Sequence, residues 1–212
     1  MVIAIDGPAG AGKSTVAQGV ARALGFAYLD SGAMYRCVGV AALRAGVDLN
    51  DENRVAELAR GIEIDFSEGR VSLDGADVTE EIRTAEVGEA ASRVAAQPEV
   101  RAAMVERQRG QISRGRYVAE GRDIGTVVSP DAALKVFLTA SPEERAGRRS
   151  AESGDAADGV LEALRERDRR DRERDHGPLR PAEDAVEVDT TGLPVDDVVE
   201  RVVALARERG VT

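Results

Sequence analysis

Eight consecutive residues, Gly7-Pro8-Ala9-Gly10-Ala11-Gly12-Lys13-Ser14, satisfy the pattern G-x-x-x-x-G-K-[ST]. The chemistry they suit is the binding of a polyphosphate. Glycines let the backbone turn tightly and aim successive N–H groups inward, and a helix beginning there adds its positive amino-terminal end. In such a loop Lys13 reaches the β- and γ-phosphate oxygens, the Ser14 hydroxyl ligates Mg2+ and Thr15 donates to the α-phosphate. The plain alternative is a Gly/Ala turn that matches by chance. The context favours the phosphate reading, because the apolar run Val2 to Ile5 precedes the turn and a helical pattern with Val16, Val20, Ala21 and Leu24 follows it.

A phosphate donor site needs an acceptor. Leu29 to Arg36 lies at the carboxyl end of an expected strand and opens a helix, at the edge where α/β sheets gather ligands. Asp30 or Ser31 alone could be a helix cap, but Arg36 follows one turn later, at a distance suited to a second phosphate group. A third stretch, Tyr117 to Thr126, runs a strand into Glu120. That is where a P-loop fold carries a second acidic residue that holds Mg2+ through water. Arg122 and Asp123 follow, and by themselves could form no more than a surface ion pair.

These side chains need a scaffold. Buried strands are expected at Val2 to Ile5, Ala27 to Leu29, Tyr117 to Ala119, Leu134 to Leu138 and Ala185 to Val188. Helical patterns span Lys13 to Leu24, Ala33 to Arg44, Glu52 to Arg60, Glu81 to Val94, Pro98 to Ser113, Pro142 to Ser153, Val160 to Glu173 and Val195 to Arg209. Strands alternating with helices predict an α/β fold, a parallel sheet covered on both faces. Between Ile62 and Val78, strict alternation and the Glu68-Gly69 turn predict a small antiparallel hairpin with a third strand near Val78. Ser153 to Gly159 reads as a loop between two charged helices.

Composition narrows the function classes. Of 212 residues 42% are hydrophobic and 3% aromatic, so the core must be built from Ala, Val, Leu and Ile. The net charge of -10 argues against a nucleic-acid or anionic-membrane binder that works by bulk charge. One cysteine and one histidine exclude a disulfide framework within the chain and His-pair metal chemistry, which leaves an oxygen-ligated ion such as Mg2+. All but two of the 29 basic residues are arginine, whose planar fork grips phosphates and carboxylates bidentately. The single cysteine leads to the expectation of a reducing cytoplasm. The opening MVIAID carries no basic stretch of a secretory or transit signal, and no apolar run approaches the ~18 residues of a membrane helix, so no membrane association is expected.

The P-loop, DSGAMYR (30–36), EIRTAEV (81–87), EGRDIGTVV (120–128), ERAGRR (144–149) and RDRRDRERDHGPL (167–179) occur in this order. Together they resemble the bacterial cytidylate kinases, P-loop nucleoside monophosphate kinases, over essentially the whole chain. The resemblance implies a three-layer kinase fold with a five-stranded parallel sheet and a small antiparallel insertion. It implies one kinase domain over 1–212, containing a monophosphate-binding insertion at 61–103 and a lid at 145–160. The implied reaction is transfer of the γ-phosphate of ATP, with Mg2+, to CMP or dCMP by a monomer that binds no nucleic acid.

Residue by residue, the resemblance implies that Gly7 to Thr15 bind ATP and that Ser31 and Arg36 face the monophosphate, with Asp30 nearby. Ser92, Arg101 and Asp123 would recognise cytosine. Its N4 amino donor needs a carboxylate, and its N3 and O2 acceptors an arginine. Arg167, Asp171 and Arg174 are spaced i, i+4, i+7 and share one helical face. By charge pattern alone that helix is a solvated one, and the resemblance reassigns only these three, Asp171 to the ribose and the two arginines to sugar and transferring phosphate. Lys13, Arg122, Arg148 and Arg174 are the implied catalytic cations, with Arg148 delivered by the lid. Ser14, and Glu120 through water, would hold the metal. The competing readings are a related kinase for UMP, AMP or a shikimate-like acceptor, and a non-catalytic nucleotide sensor or RNA-binding P-loop protein.

Overall fold

The computed structural model describes all residues except Glu68, Gly154–Ala156 and Thr212. It divides into two compact units, Met1–Asp30 with Arg109–Thr212, and Ser31–Gln108.

The first unit is built on the strands β1 (Val2–Asp6), β2 (Ala27–Asp30), β6 (Tyr117–Gly121), β7 (Leu134–Thr139) and β8 (Val186–Asp189). They form one sheet in the order β2-β6-β1-β7-β8, and every neighbouring pair is parallel. All five residues of β1 are buried, as expected of a central strand in a parallel sheet covered on both faces. The flanking helices of this unit are α1 (Lys13–Leu24), α6 (Pro142–Ser153), α7 (Ala157–Glu173) and α8 (Val195–Glu208). Ile3, Ile5, Val16, Val20, Val118, Leu134, Val136, Leu138, Val198 and Val202 pack β1, β6 and β7 against α1 and α8. That core contains few rings because aliphatic side chains fill it. After β1 the chain crosses to β2 on one side, whereas β7 and β8 lie on the other, so the loop following β1 sits at a topological switch point.

The second unit contains α2 (Ser31–Arg44), α3 (Glu52–Gly61), a three-stranded antiparallel sheet of β3 (Ile64–Ser67), β4 (Arg70–Leu73) and β5 (Ala76–Asp77), then α4 (Ala85–Val94) and most of α5 (Pro98–Ile112). Three details differ from the expectations. The third strand is Ala76–Asp77, and Val78 follows it, donating its N–H to Val71 at 2.9 Å. The helix expected over Glu81 to Val94 is split. A 3₁₀ turn occupies Glu81–Arg83, and α4 starts afresh because the Thr84 hydroxyl caps it, accepting from the Val87 N–H at 3.3 Å. Of the loop expected over Ser153 to Gly159, Ser153 ends α6 and residues 157–159 already belong to α7, while 154–156 lie outside the described residues, as does Glu68 of the hairpin turn. Among the described residues no helix is long and apolar enough to cross a membrane.

Candidate active site

The loop from Gly7 to Gly12 joins β1 to α1 with Gly7, Gly10 and Gly12 at positive φ. Gly7 is required by space as well, since a Cβ there would meet the Leu138 carbonyl oxygen at 2.2 Å. Arg145 braces the loop from α6. Its guanidinium donates to the Ala9 carbonyl at 3.1 Å, to the Ala140 carbonyl at 3.2 Å and to Asp168 at 2.7 Å, and the Arg145–Asp168 pair is almost fully buried. Sequence reasoning left Asp168 on a solvated helix. Its signal is spacing, since Leu164, Asp168 and Asp171 stand i, i+4, i+7 along one stripe of the helix and all three are buried. The exposed Arg165, Glu166 and Arg169 keep the solvated reading, with Arg169 paired to Glu166 and Glu173.

Lys13 is buried and its ammonium donates to the Pro8 carbonyl at 2.8 Å. Burial pushes its pKa down to about 7, helped by Arg122 and Arg167, while Glu120 and Asp171 oppose the shift. Glu120 ends one residue short of the β6 terminus, buried, and accepts hydrogen bonds from Tyr28 and the Ser14 hydroxyl. Burial raises it to about 7, and the Asp30 carboxylate adds to that. The two residues expected to hold the metal are therefore hydrogen-bonded to one another, with a further carboxylate close by.

Arg122 donates to Asp171 at 2.8 Å, so the pairing with Asp123 that the sequence left open does not form. Burial works against the Arg122 charge, but the Asp171, Asp168 and Glu120 carboxylates together outweigh it and hold the guanidinium pKa up. Burial likewise opposes the Asp171 carboxylate, and Arg122, Arg167 and Arg174 overcome it and hold that pKa below the ordinary range. Arg174 lies 3.6 Å from Asp123 and also donates to the Gly177 carbonyl. The first unit thus gathers Lys13, Glu120, Arg122, Asp123, Arg167, Asp171 and Arg174. Arg148 donates to the Thr190 hydroxyl at 3.0 Å and carbonyl at 2.8 Å and to Glu144 at 3.1 Å, and its Nη1 would stand 3.6 Å from a Cβ at Gly12.

In the second unit Ser31 is buried at the start of α2. Arg36 donates to the Ile82 carbonyl and lies against Gly88, where a Cβ would approach its guanidinium to 3.4 Å. Arg101 is buried, 6.0 Å from the centre of the Tyr35 ring, and donates to the Ala95 carbonyl at 3.4 Å. The Ser92 hydroxyl is buried with no hydrogen-bond partner among the described residues.

The family model described as Cytidylate kinase matches residues 3–208. The chain belongs to the cytidylate kinase family. It is 53% identical over 214 residues to the cytidylate kinase of Pelotomaculum thermopropionicum, covering 95% of this chain and 94% of that one. It is 49% identical over 216 residues to the one from Solibacter usitatus, covering 99% and 93%. Among solved structures, a gluconokinase from Sinorhizobium meliloti superposes with a TM-score of 0.54 at 19% identity, over 99% of this chain and 93% of that one. A shikimate kinase from Bacteroides thetaiotaomicron superposes with 0.51 at 14% identity, over 98% of each. At those identities the two show a shared P-loop kinase fold. The chain is a kinase whose reaction is phosphoryl transfer from ATP to CMP, and neither the shikimate-like nor the non-catalytic reading is favoured.

The buried acids predict an unusual response to pH. Asp6, raised from 3.8 to about 6, and Glu120, raised from 4.5 to about 7, each bind more protons folded than unfolded between those limits. Their contribution to stability therefore rises as pH falls through the folded values and levels off below the unfolded ones, and Lys13, lowered to about 7, opposes them only near and above that pH, where it loses its proton. The ligand-free protein should melt at a higher temperature at about pH 5.5 than at about pH 7.5. Relief of the net charge of -10 acts in the same direction. Glu120→Gln isolates the local part and should shrink the difference; an undiminished difference in that variant would dismiss the Glu120 contribution.

Proposed function

We propose that the transferred group is the γ-phosphate of Mg2+-bound ATP, passed in line to CMP or dCMP with no covalent enzyme intermediate. Catalysis is then positioning and charge neutralisation. The observation that carries this reading is the cluster beside the P-loop of the buried Lys13, Glu120 and Asp171 with the half-buried Arg122, which donates to Asp171 at 2.8 Å. The P-loop from Gly7 to Thr15 cradles the triphosphate with backbone N–H groups, and Lys13 takes the charge that develops on its oxygens. Arg122 and Arg174 neutralise the acceptor side, and Arg148 does so from a lid formed by 145–160.

Ser14 and Glu120 offer an oxygen-only donor pair that suits Mg2+, one directly and one through water. The ion, when bound, supplies positive charge to the β- and γ-phosphate oxygens. Asp30, Ser31 and Arg36 receive the monophosphate. Asp171, with Arg167 and Arg174, holds the sugar, and Ser92, Arg101 and Asp123 read the base. The partnerless Ser92 hydroxyl supports a polar ligand at that position. The monophosphate-binding insertion at 61–103 belongs with one kinase domain over 1–212, acting as a cytoplasmic monomer without nucleic-acid or membrane partners. Initial rates of ADP formation with CMP, dCMP, UMP and AMP test this. CMP and dCMP should lead, and faster turnover of AMP or UMP would overturn the base assignment.

A further inference from the structure

Asp6 belongs to no motif singled out above, yet it is 5% exposed at the carboxyl end of the central strand β1. Its two oxygens are both engaged, Oδ1 accepting from the Ile124 N–H and Oδ2 from the Gly125 N–H, each at 2.8 Å. These donors open the π-helical turn Ile124–Val128, and the first N–H groups of any helical turn have no partner within it. An aspartate standing immediately before such a turn ordinarily satisfies one of them, at the second or third position, with its own carboxylate. Asp123 stands there and makes no capping bond, with its backbone at φ -151 and ψ 26.

We propose that Asp6 is a positioning residue for base recognition, capping this turn from the neighbouring strand so that the Asp123 carboxylate is spared that duty and held on a fixed backbone for the cytosine amino group. The inference rests on the assignment of Asp123 to the base. The fit is close, since a Cβ at Gly125 would lie 3.4 Å from the Asp6 Oδ2 and 3.2 Å from Lys135 Cδ and Cγ. The tight neighbour is the Lys135 side chain, while the Asp6 oxygen would sit at ordinary contact distance from such a Cβ. Asp6 is also one residue from Gly7, so the strand that launches the P-loop and the segment proposed to read the base share one anchor. Burial raises the Asp6 pKa, and the two N–H bonds partly offset that. A charged group kept at a desolvation cost is better explained by what it aims than by packing.

The test is a series at Asp6 read as the ratio of kcat/KM for CMP to that for UMP. Asp6→Asn keeps the shape but presents an NH2 group to one of the two N–H donors, so one bond is lost. Asp6→Ala loses both. The ratio should fall by about tenfold or more in Asp6→Asn, chiefly through KM for CMP, and further in Asp6→Ala, with KM for ATP within about twofold of the parent. Val203→Ala, a cavity variant in α8, serves as a control that lowers the melting temperature and leaves the ratio unchanged. Parallel losses with CMP and UMP, or failure of both Asp6 variants to fold, would overturn the proposal, because the carboxylate would then be supporting the fold alone. Asp123→Asn is measured beside them. If it lowers the ratio and the Asp6 variants do not, the clamp is refuted; if Asp123→Asn itself leaves the ratio intact, the base assignment has failed instead.

Discussion

Lys13→Ala is expected to lower kcat by about 10²–10³-fold while KM for CMP moves little, because its charge is needed most when negative charge shifts toward the β–γ bridge. The ammonium is buried and donates to the Pro8 carbonyl at 2.8 Å, and its pKa is pushed down to about 7. Burial of that cation works against the empty fold, so removing it should leave the melting temperature unchanged or higher. A catalytic residue maintained at a cost to stability is a recurrent feature of active sites. Steady-state ADP formation at saturating CMP, with a thermal melt of the same sample, measures both. A kcat within about twofold of the parent would remove Lys13 from the mechanism.

The second large effect is on selectivity. Asp123→Asn should reduce the preference for CMP over UMP by about 10²-fold or more, since cytosine presents an amino donor where uracil presents a carbonyl. A carboxylate can only accept, whereas an amide can turn either its oxygen or its NH2 group toward the base. Asp123 is 5% exposed and lies 3.6 Å from Arg174. In so buried a place a mismatched acceptor pair is not rescued by water. Competition between CMP and UMP in one reaction, followed by separation of the diphosphates, reads the ratio directly. An unchanged ratio would detach Asp123 from the base.

Much of this was legible before any coordinates, and for identifiable reasons. The alternation of buried strands with amphipathic helices predicts the parallel sheet, because the period of apolar residues is set by each element's own geometry. The P-loop is equally readable, since its glycines answer a local demand, the positive φ of Gly7, Gly10 and Gly12. What the pattern could not reveal are pairings between residues far apart in the chain. Asp6 with Ile124 and Gly125, Arg145 with Asp168 and the Ala9 carbonyl, and Arg148 with Thr190 all depend on tertiary approach. The π-helical turn after Asp123 was missed on the same ground, as its first donors are satisfied from another strand. The charged helix α7 divides as periodicity allows. Arg165, Glu166 and Arg169 face water, whereas Asp168 and Asp171 are buried and paired.

The acidic balance of the chain also takes on a definite meaning. A net charge of -10 coexists with Lys13, Arg122, Arg167 and Arg174 gathered beside the carboxylates of Glu120 and Asp171, so the cations are concentrated locally within an acidic chain.

The most direct measurement is a crystal structure with CMP and an unreactive ATP analogue bound. The account predicts the cytosine N4 amino group within hydrogen-bond distance of the Asp123 carboxylate, with the Asp6 bonds to Ile124 and Gly125 intact. A base whose amino group meets another residue, with Asp123 turned back to cap its own turn, would contradict it.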